Sequence, residues 1–589
     1  TRRPYWSSTP NFQFISNLLR IYNIIIMAEP SLNLGNGNWA GKSDNLLAYH
    51  KANNNFYADE LTFARASTGT IVNADGLIEQ VPYNRIEQSN TFDNTWSVGN
   101  STITEGQADK DGGTSAWVIA STTIGSETRI RQSQTFTVGE VIALSCYMKA
   151  GTVNFGIVRT YSIAGGGRVW FNLLNGTVGT ENSGLTGSIE SVGGGWYRCS
   201  ITGVVTTSGA IDIAPAPADN DYLANAVGES IYIQDAQLDS GSTAKTYYPT
   251  TTRLNVPRVT YKDNANGSLL LEPQRTNSLS YSEDFSNAAW VKLGQGVGST
   301  PIVTPNYAIS PDGTLNASRL QCDLNGGNTT SDRSWIYQSI STITGDNTFS
   351  LYVKNNSNED ITFSLTNGSS ETVVILSDDK WHRLSTVKSG GGQPRIGLIG
   401  GVGASDNADL LIYGAQLEAG SYATSYIPTS GTTVTRNQDA SSTTGLSDVI
   451  GQTEGTLFVE INKDFAEVSE RYLAIGDGTT SNRIMIIGGT GGSIRGFISN
   501  GGAIQFDNST GSAVGNHKIA LAYAANDIAF YVDGVQIALD TSATIPAVGN
   551  FYLGTHEAGF TERLNGSANQ AQLYKTRLTN TELATLTTI

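Results

Sequence analysis

The chain has 589 residues, and its 52 acidic side chains outnumber 36 basic ones to give a formal net charge of −16. Proteins that neutralise nucleic-acid phosphates need clustered Lys and Arg, so this balance argues against nucleic acid as a partner. The 65 glycines and a charged fraction of only 15% favour short strands and tight turns over long helices. The composition predicts an all-β protein, and the length predicts roughly three or four domains.

Residues 11–27 form an apolar segment, NFQFISNLLRIYNIIIM. Arg20 interrupts it, and the uninterrupted part is shorter than the about 20 residues that a membrane-spanning helix needs. The residues after Met27 make a poor cleavage site for a signal peptide. Two interpretations are open: an N-terminal peptide that attaches the chain to a partner, or residues upstream of a natural start at Met27. We predict no membrane partner and assign residues 1–88 to an N-terminal extension with attachment and connector segments.

Residues 89–250 and 282–429 repeat the same series of motifs. The matched segments, in order, are SNTFDNTW (89–96) and SEDFSNAAW (282–290), RQS (131–133) and YQS (337–339), SCYMK (145–149) and SLYVK (350–354), WYR (196–198) and WHR (381–383), and 231–250 and 410–429. Alternating side chains within these segments indicate half-buried strands, and the turns between them indicate antiparallel sandwiches. We therefore predict two related jelly rolls over residues 89–254 and 282–435, joined by a connector over residues 255–281.

The repeat also predicts the environment of two of the three cysteines. Cys146 aligns with Leu351, and Cys199 aligns with Leu384. Because leucine occupies the matching positions, both thiols are predicted to pack in the core as small apolar groups. A disulfide between Cys146 and Cys199 stays open at this point.

The pattern changes in residues 436–589, where alternating apolar runs are separated by Gly and Asn turns. The runs cover residues 455–461, 471–476, 483–487, 494–498, 517–523 and 528–537. Asp533-Gly534 predicts a two-residue hairpin turn. Residues 580–586 predict a short capped helix that starts at Thr579 or Asn580.

Several of these segments resemble known families. The series HKIALAY, FYVDGVQI and LYKTRLTNTELATL in the C-terminal domain resembles the laminin-G/concanavalin-A-like lectin fold. The two repeats resemble the carbohydrate-binding-module-like jelly rolls of bacteriophage structural proteins. Residues 63–78 and 255–285, which include LEPQRTN (271–277), resemble connectors of phage head and tail fibres, with the first repeat inserted between them. The resemblance implies an all-β fibre or decoration protein of tandem antiparallel β-sandwiches, two jelly rolls and a concanavalin-A-like sandwich, behind a short N-terminal attachment segment.

The sequence gives little support to enzyme chemistry. Its four histidines are His50, His382, His517 and His556, and no Gly-x-Ser-x-Gly, His-Glu-x-x-His or Cys-x-x-Cys motif is present. His382 aligns with Tyr197, which predicts a half-exposed ring and not a base. With 52 acidic residues, a carboxylate pair at glycosidase spacing carries no specificity. We predict that the chain is not an enzyme, and we keep a glycan depolymerase as an alternative.

Two loops carry clustered oxygen ligands of the kind that calcium prefers. The first holds Asp109 and Asp111, and the second holds Asp219 and Asp221. Such runs occur more often as plain turns. We therefore assign no metal or other cofactor and keep calcium as the candidate ion.

Three aromatic residues lack counterparts in the matched motifs: Trp170, Tyr222 and Trp335. Such rings can stack on the C–H faces of sugars, although burial in a core is the competing explanation. We expect a virion structural protein, a head or tail fibre component, that is assembled in the host cytoplasm and exposed on the extracellular particle. It would contact other virion proteins, adhere to host-surface glycans and, by analogy with fibres, form a homotrimer. A purely structural bracing protein without sugar binding is the main alternative.

Overall fold

The structure of the protein, a computed structural model, describes residues 28–35, 39–42, 45–47, 49–50, 55–56, 61–65, 67–81, 84–136, 138–139, 141–163, 166–240, 243–244, 247, 249–250, 257–340, 344–357, 359–368, 372–390, 392–465, 469–556 and 563–589. The apolar segment at residues 11–27 lies outside this set. Among the described residues, no helix is both long enough and apolar enough to cross a membrane. Two compact units are present, with boundaries at residues 38/39, 47/48, 60/61 and 441/442.

The structure confirms the all-β prediction, because strands in antiparallel pairs make up nearly all regular structure in the described residues. The early strands are short: β1 (Leu32–Gly35), β2 (Ala40–Lys42), β3 (Asn45–Leu47), β4 (Tyr49–His50), β5 (Asn55–Phe56), β6 (Leu61–Ala64), β7 (Thr70–Val72) and β8 (Ile78–Gln80).

The first jelly roll follows. Its strands are β9 (Ser97–Gly99), β10 (Ser101–Gln107), β11 (Ala116–Ser121), β12 (Arg129–Gln134), β13 (Val141–Ala150), β14 (Phe155–Thr160), β15 (Arg168–Asn172), β16 (Thr177–Glu181), β17 (Leu185–Gly193), β18 (Trp196–Val204), β19 (Gly209–Ala216) and β20 (Ser230–Ser240). They form a back sheet in the order β10-β11-β20-β13-β18-β17 and a front sheet in the order β16-β15-β14-β19-β12-β9. Alternate side chains of both sheets, such as Leu144, Val158 and Phe171, fill one core between them.

The second jelly roll repeats this topology, without counterparts of the edge strands β16 and β17 among the described residues, after β21 (Val259–Thr260), β22 (Ser268–Leu271) and β23 (Arg275–Asn277). Its strands are β24 (Val291–Gln295), β25 (Ile302–Ile309), β26 (Leu315–Asp323), β27 (Arg333–Tyr337), β28 (Asp346–Asn355), β29 (Ile361–Thr366), β30 (Thr372–Leu376), β31 (His382–Ser389), β32 (Arg395–Ile399) and β33 (Asn407–Ala419), followed by β34 (Val434–Arg436) and β35 (Ala440–Thr443). The front sheet runs β24-β27-β32-β29-β30 and the back sheet runs β25-β26-β33-β28-β31.

The two jelly rolls match in hydrogen bonding as well as in strand order. The hydroxyl of Ser89 accepts from the N–H of Thr250 at 2.9 Å, and that of Ser282 accepts from the N–H of Thr429 at 2.8 Å. The Trp96 indole donates to the Gln88 carbonyl, and the Trp290 indole to the Tyr281 carbonyl. In each copy the Ser–Thr bond thus joins the closing segment to the opening segment, and the Trp bond lies within the opening segment.

The cysteine alignment is visible in the strand register. Cys146 and Cys199 are partners on β13 and β18, as Leu351 and Leu384 are on β28 and β31. All three cysteines are free and buried. Burial raises the pKa of Cys322 to about 12, against weaker hydrogen bonds from its neighbours. Burial also raises the pKa of Cys146 and Cys199.

We expect these thiols to be unreactive in the native protein, because the thiolate is the reactive form and all three are buried with raised pKa. A coloured thiol reagent should titrate none of the three before denaturation and all three afterwards. Titration of a thiol in the native protein would contradict this burial. A count of one after denaturation without reductant would instead reveal a Cys146–Cys199 disulfide.

Two segments that flank the first jelly roll in sequence bond to each other. The N–H of Tyr261 donates to the Val72 carbonyl at 2.8 Å, and Arg258 Nη1 donates to the Thr70 carbonyl at 3.3 Å. We call the contact between these two segments the joint. It contains a buried ion-pair cluster, which consists of Arg65, Arg258, Glu272, Arg436 and Asp439. Its side chains are between 0 and 6% exposed.

The C-terminal unit contains β36 (Glu454–Lys463), β37 (Arg471–Gly476), β38 (Arg483–Gly488), β39 (Ser493–Asn500), β40 (Ala503–Ser512), β41 (Gly515–Ala524), β42 (Asp527–Val532), β43 (Val535–Asp540), β44 (Asn550–Leu553), β45 (Gly566–Tyr574), a 3-10 turn (Thr490–Gly492) and helix α1 (Asn580–Thr587). One sheet contains β43-β42-β41-β36-β45-β1, and the other contains β44-β37-β38-β39-β40. The predicted hairpin is confirmed, since Asp533 and Gly534 have φ of 52° and 80° between paired Val532 and Val535. The predicted helix is confirmed too, with Thr579 as its N-cap.

Candidate functional site

The three aromatic residues predicted from the sequence all belong to the front sheets or to a loop beside one of them. Trp170 lies on β15 between the core residues Val169 and Phe171, so its side chain is on the outer face. Trp335 lies on β27 beside the core residue Ile336 and has the same orientation. Tyr222 lies on the loop after β19, where the Arg168 guanidinium covers its ring at 4.0 Å.

These three side chains differ in their exposure to solvent. Trp170 is 2% exposed, packs with Ile157 and Ala214, and donates its indole N–H to the Asp221 carbonyl at 2.9 Å. Trp335 is 3% exposed. In this conformation neither indole presents a face to a sugar, so the stacking predicted for both is not seen. Tyr222, at 36% exposure, is accessible.

The outer face of the first front sheet carries a group of charged residues that the motif analysis missed. The strand register places Arg131, Asp212, Arg159 and Arg168 in one row across β12, β19, β14 and β15. Arg129 lies two residues before Arg131 on the same strand, opposite Gly99. A Cβ at position 99 would lie 3.2 Å from the Arg129 Cζ, so glycine leaves room for the guanidinium.

Two carboxylates hold these arginines in place. Asp212, with a side chain 1% exposed, accepts hydrogen bonds from Arg131 Nε at 2.7 Å and Nη2 at 2.8 Å. Glu127 accepts from Arg159 Nη1 at 2.7 Å and from Arg168 Nη2 at 2.9 Å. Such charge-assisted bonds fix the planes of the guanidinium groups before any ligand arrives. We name this set of six residues, Glu127, Arg129, Arg131, Arg159, Arg168 and Asp212, the arginine cluster.

A tyrosine lies within the arginine cluster. The guanidinium groups of Arg159 and Arg131 stack on the Tyr161 ring at 3.7 and 4.4 Å. Burial raises the pKa of the Tyr161 hydroxyl, and the Asp212 charge adds to the effect. Burial would also raise the pKa of Glu127, but the hydrogen bond from Arg168 and the charges of the arginines outweigh it, so that pKa is lowered. Glu127 is therefore ionised at neutral pH.

The second front sheet has a different set of residues at the matching positions. Trp335 stands where the first copy has Arg129, and Arg333 and Arg395 lie over its indole at 4.9 and 4.7 Å. The Trp335 Nε1 is buried without a hydrogen-bond partner. Its cross-strand partner is Gly397, where a Cβ would lie 2.4 Å from the Ser334 carbonyl oxygen and 2.6 Å from the Trp335 Cβ, so glycine is required for the two strands to approach this closely.

The loops proposed for calcium are closed by hydrogen bonds of their own. The Asp109 carboxylate accepts from the N–H groups of Asp111, Gly113 and Ser115 at 2.6–2.9 Å, and these bonds lower its pKa. In the loop of the second pair, Asp219 accepts from the Thr180 N–H at 2.7 Å.

The neighbouring carboxylates are engaged as well. Asp221 accepts from the Leu223 N–H at 3.2 Å, and Asp111 pairs with Lys110 at 2.6 Å. In the part of the chain that the structure describes, no three His, Cys, Asp or Glu side chains are grouped to hold a metal. The calcium candidate thus stays a prediction without a ligand cluster.

Two contacts of histidine and carboxylate side chains among the described residues bear on enzyme chemistry. His517 pairs with Asp533 at 2.7 Å, while its other ring nitrogen lies 3.0 Å from the Val514 carbonyl and not beside a hydroxyl or thiol. Glu283 and Asp312 are linked through the hydroxyl of buried Tyr413, at 3.3 and 3.0 Å. That hydroxyl therefore occupies the position between these two carboxylates.

Comparisons with known proteins complete the description of the chain. No family model matches the sequence, and no curated protein matches it. Among solved structures, the chain is similar to the CBM40 of the Ruminococcus gnavus IT-sialidase, at 21% identity over 25% of this chain and 92% of that chain, with a TM-score of 0.22. It is also similar to the CBM22-1–CBM22-2 tandem of Paenibacillus barcinonensis Xyn10C, at 10% identity over 60% and 99%, with a TM-score of 0.20. Domains LG4-5 of the mouse laminin α1 chain match at 13% identity over 50% and 95%, with a TM-score of 0.19. TM-scores of this size carry no argument about ligand, and none of these three proteins is from a bacteriophage.

Proposed function

We propose that this chain is a non-catalytic protein that binds glycans on the outer faces of its two front sheets. One observation carries the proposal: in both jelly rolls, the same face of the same sheet presents arginine and aromatic side chains in defined positions. The first copy presents the arginine cluster with Tyr161 and Tyr222, and the second presents Arg333 and Arg395, which lie over the buried Trp335 ring. A face that served only to cover a core would not need guanidinium groups fixed over rings.

The chemistry of these faces suits sugars. Guanidinium N–H groups donate to hydroxyl oxygens in a fixed fork, and tyrosine rings offer an apolar plane next to a polar edge. Because the side chains are already held by neighbours, little conformational entropy is lost when a ligand binds. Two faces on one chain also allow a branched or repeated glycan to be bound twice, which raises the overall affinity without new contacts.

The test is binding of the purified chain to a glycan array and to candidate host cells, with released oligosaccharide monitored. We expect saturable binding without cleavage, weakened about tenfold or more when Tyr222→Ala and Arg333→Ala are combined, since contact residues of this type cost above about 1.4 kcal/mol on truncation. Arg319→Gln is the matched control. Arg319 also pairs with a carboxylate, Asp409, and lies over a ring, Tyr307, but on the back sheet.

The alternatives predict other results. A bracing protein would bind no glycan and no cell, and a depolymerase would release oligosaccharide. Binding that the double variant leaves unchanged would move the site away from the front sheets.

A finer hypothesis concerns the particle to which the chain belongs. We propose a bacteriophage head or tail fibre component that contacts other virion proteins and assembles as a homotrimer. The wording of the connector, LEPQRTN at residues 271–277, supports this hypothesis. Electron microscopy of virions labelled with an antibody against the chain would test it, and absence from purified particles would contradict it.

A further inference from the structure

We infer that the face of the first jelly roll selects anionic sugars, which carry a carboxylate or a sulfate, over neutral ones. The inference rests on the proposed function and names the class of ligand for one of its two faces. It starts from the charges of the arginine cluster. Contacts of 2.7–3.9 Å link four guanidinium groups to only two carboxylates, Glu127 and Asp212, so two positive charges are not balanced within the cluster.

The sign of this excess is opposite to that of the whole protein, whose net charge is −16. Arginines on an acidic chain that serve only as structural ion pairs would be matched by at least as many carboxylates. A surplus of guanidinium groups on one sheet face instead fits an anionic group that arrives from outside.

Arg129 is the arginine of the cluster whose N–H donors have no carboxylate within hydrogen-bond distance among the described residues. Its guanidinium lies 3.6 Å from a Glu127 oxygen and 3.9 Å from an Asp212 oxygen, beyond hydrogen-bond distance. Its side chain is 26% exposed, as is that of Arg131 beside it. Arg131 by contrast already binds both oxygens of Asp212. An incoming carboxylate or sulfate would therefore be bound first by Arg129, with the fork geometry that guanidinium and oxyanion share.

The second jelly roll serves as an internal comparison. At the positions of Arg129, Arg131 and Arg159 it has Trp335, Tyr337 and Thr366, so the row of guanidinium groups is absent from its front sheet. The two faces follow one repeated pattern but place their charges differently: the second keeps two guanidinium groups, Arg333 and Arg395, and Arg395 stands where the first has Asp212. Trp335 replaces Arg129, the arginine whose carboxylate contacts are longest, so we assign the selection for an anionic group to the first face.

Binding of matched sugar pairs to the full chain tests the inference: sialylated lactose against lactose, and 6-sulfated galactose disaccharide against its unsulfated form. We expect at least about tenfold tighter binding of each anionic partner, a difference of about 1.4 kcal/mol. The preference should shrink between about 0.05 and about 0.5 M salt, because the exposed part of the attraction is screened. Comparing the two pairs shows whether carboxylate or sulfate is preferred.

Variants assign the preference to the cluster. Arg129→Gln should abolish it, Arg129→Lys should retain part of it, and the back-sheet control Arg319→Gln should leave it intact, with melting temperatures unchanged in all three. Equal binding of anionic and neutral sugars, or a preference that survives Arg129→Gln, would overturn the inference and leave glycan binding standing. Failure to bind any sugar would overturn the proposed function and the inference with it.

Discussion

Replacing Asp439 with alanine should lower the free energy of unfolding around the joint by about 3–5 kcal/mol, because it removes one partner from a buried group of charges. Asp439 is fully buried, and its carboxylate pairs with Arg65 at 3.1 Å and with Arg258. It also accepts the Glu272 backbone N–H at 3.0 Å. Burial already lowers the pKa of Arg65 to about 10, against the opposing charge of Asp439. Without that carboxylate, the three buried guanidinium groups of the cluster share the single carboxylate of Glu272, and Arg65 loses its ion-pair partner within the cluster.

Amide hydrogen exchange over residues 257–285 and 425–439 measures this loss locally, which matters because a chain with two compact units need not unfold in one step. Asp409→Ala is the control, since the Arg319–Asp409 pair has side chains 26 and 23% exposed and should contribute about 1 kcal/mol or less. A loss below about 1 kcal/mol for Asp439→Ala would show that the cluster does not hold the joint.

Replacing Asn277 with leucine should cost about 3–5 kcal/mol, although the two side chains have similar volumes. The Asn277 amide donates to the carbonyls of Ala415 at 3.1 Å and Ile427 at 2.8 Å. Its oxygen accepts from the N–H groups of Leu279 at 3.2 Å and Leu417 at 3.1 Å. Leucine would leave these four backbone groups buried without this partner.

The same exchange experiment reports the effect, with Thr276→Val as the neighbouring control. Thr276 is half-buried, and its hydroxyl shares a solvent-exposed hydrogen bond of 2.8 Å with the hydroxyl of Thr435, so its replacement should change stability by less than about 1 kcal/mol. Equal losses of stability from the two substitutions would mean that the hydrogen bonds of Asn277 do not hold the connector to the second jelly roll.

The contacts behind these two predictions also explain the residues of the LEPQRTN motif. Glu272 accepts from Arg436 and pairs with Arg258 at 2.8 Å, and Arg275 donates to the Tyr422 hydroxyl at 2.6 Å. With Asn277, three polar residues of the motif are engaged in attaching the second jelly roll to its connector. The motif therefore indicates a way of joining domains, and it is separate from the front sheets on which we propose that ligands bind.

Local patterns predicted local features well. The Asp533-Gly534 turn and the Thr579 cap depend on a few adjacent residues, and both were found where the sequence placed them. The cysteine positions followed from comparing copies, because a core site accepts either a thiol or leucine.

The site was harder to predict because it is assembled across strands. The alternation in Arg129-Ile130-Arg131 shows that both arginines face away from the core, but nothing near them in sequence identifies Asp212 or Arg168 as neighbours. The burial of Trp170 could not be read from its strand either, since the loop that receives its N–H lies about fifty residues away. Outer-face aromatics can be covered by such loops, so their orientation alone does not make them binding residues.

The joint between the connector segments has a consequence for how such proteins diversify. The chain leaves for the first jelly roll and returns from it at adjacent points, since the Ser89 N–H donates to the Thr250 carbonyl at 2.9 Å. The joint itself is closed by residues on either side, Val72 with Tyr261 and Thr70 with Arg258. A recombination event that exchanges everything between these points would replace the whole first jelly roll and leave the joint intact, so the proposed binding face would be exchanged in a single genetic step.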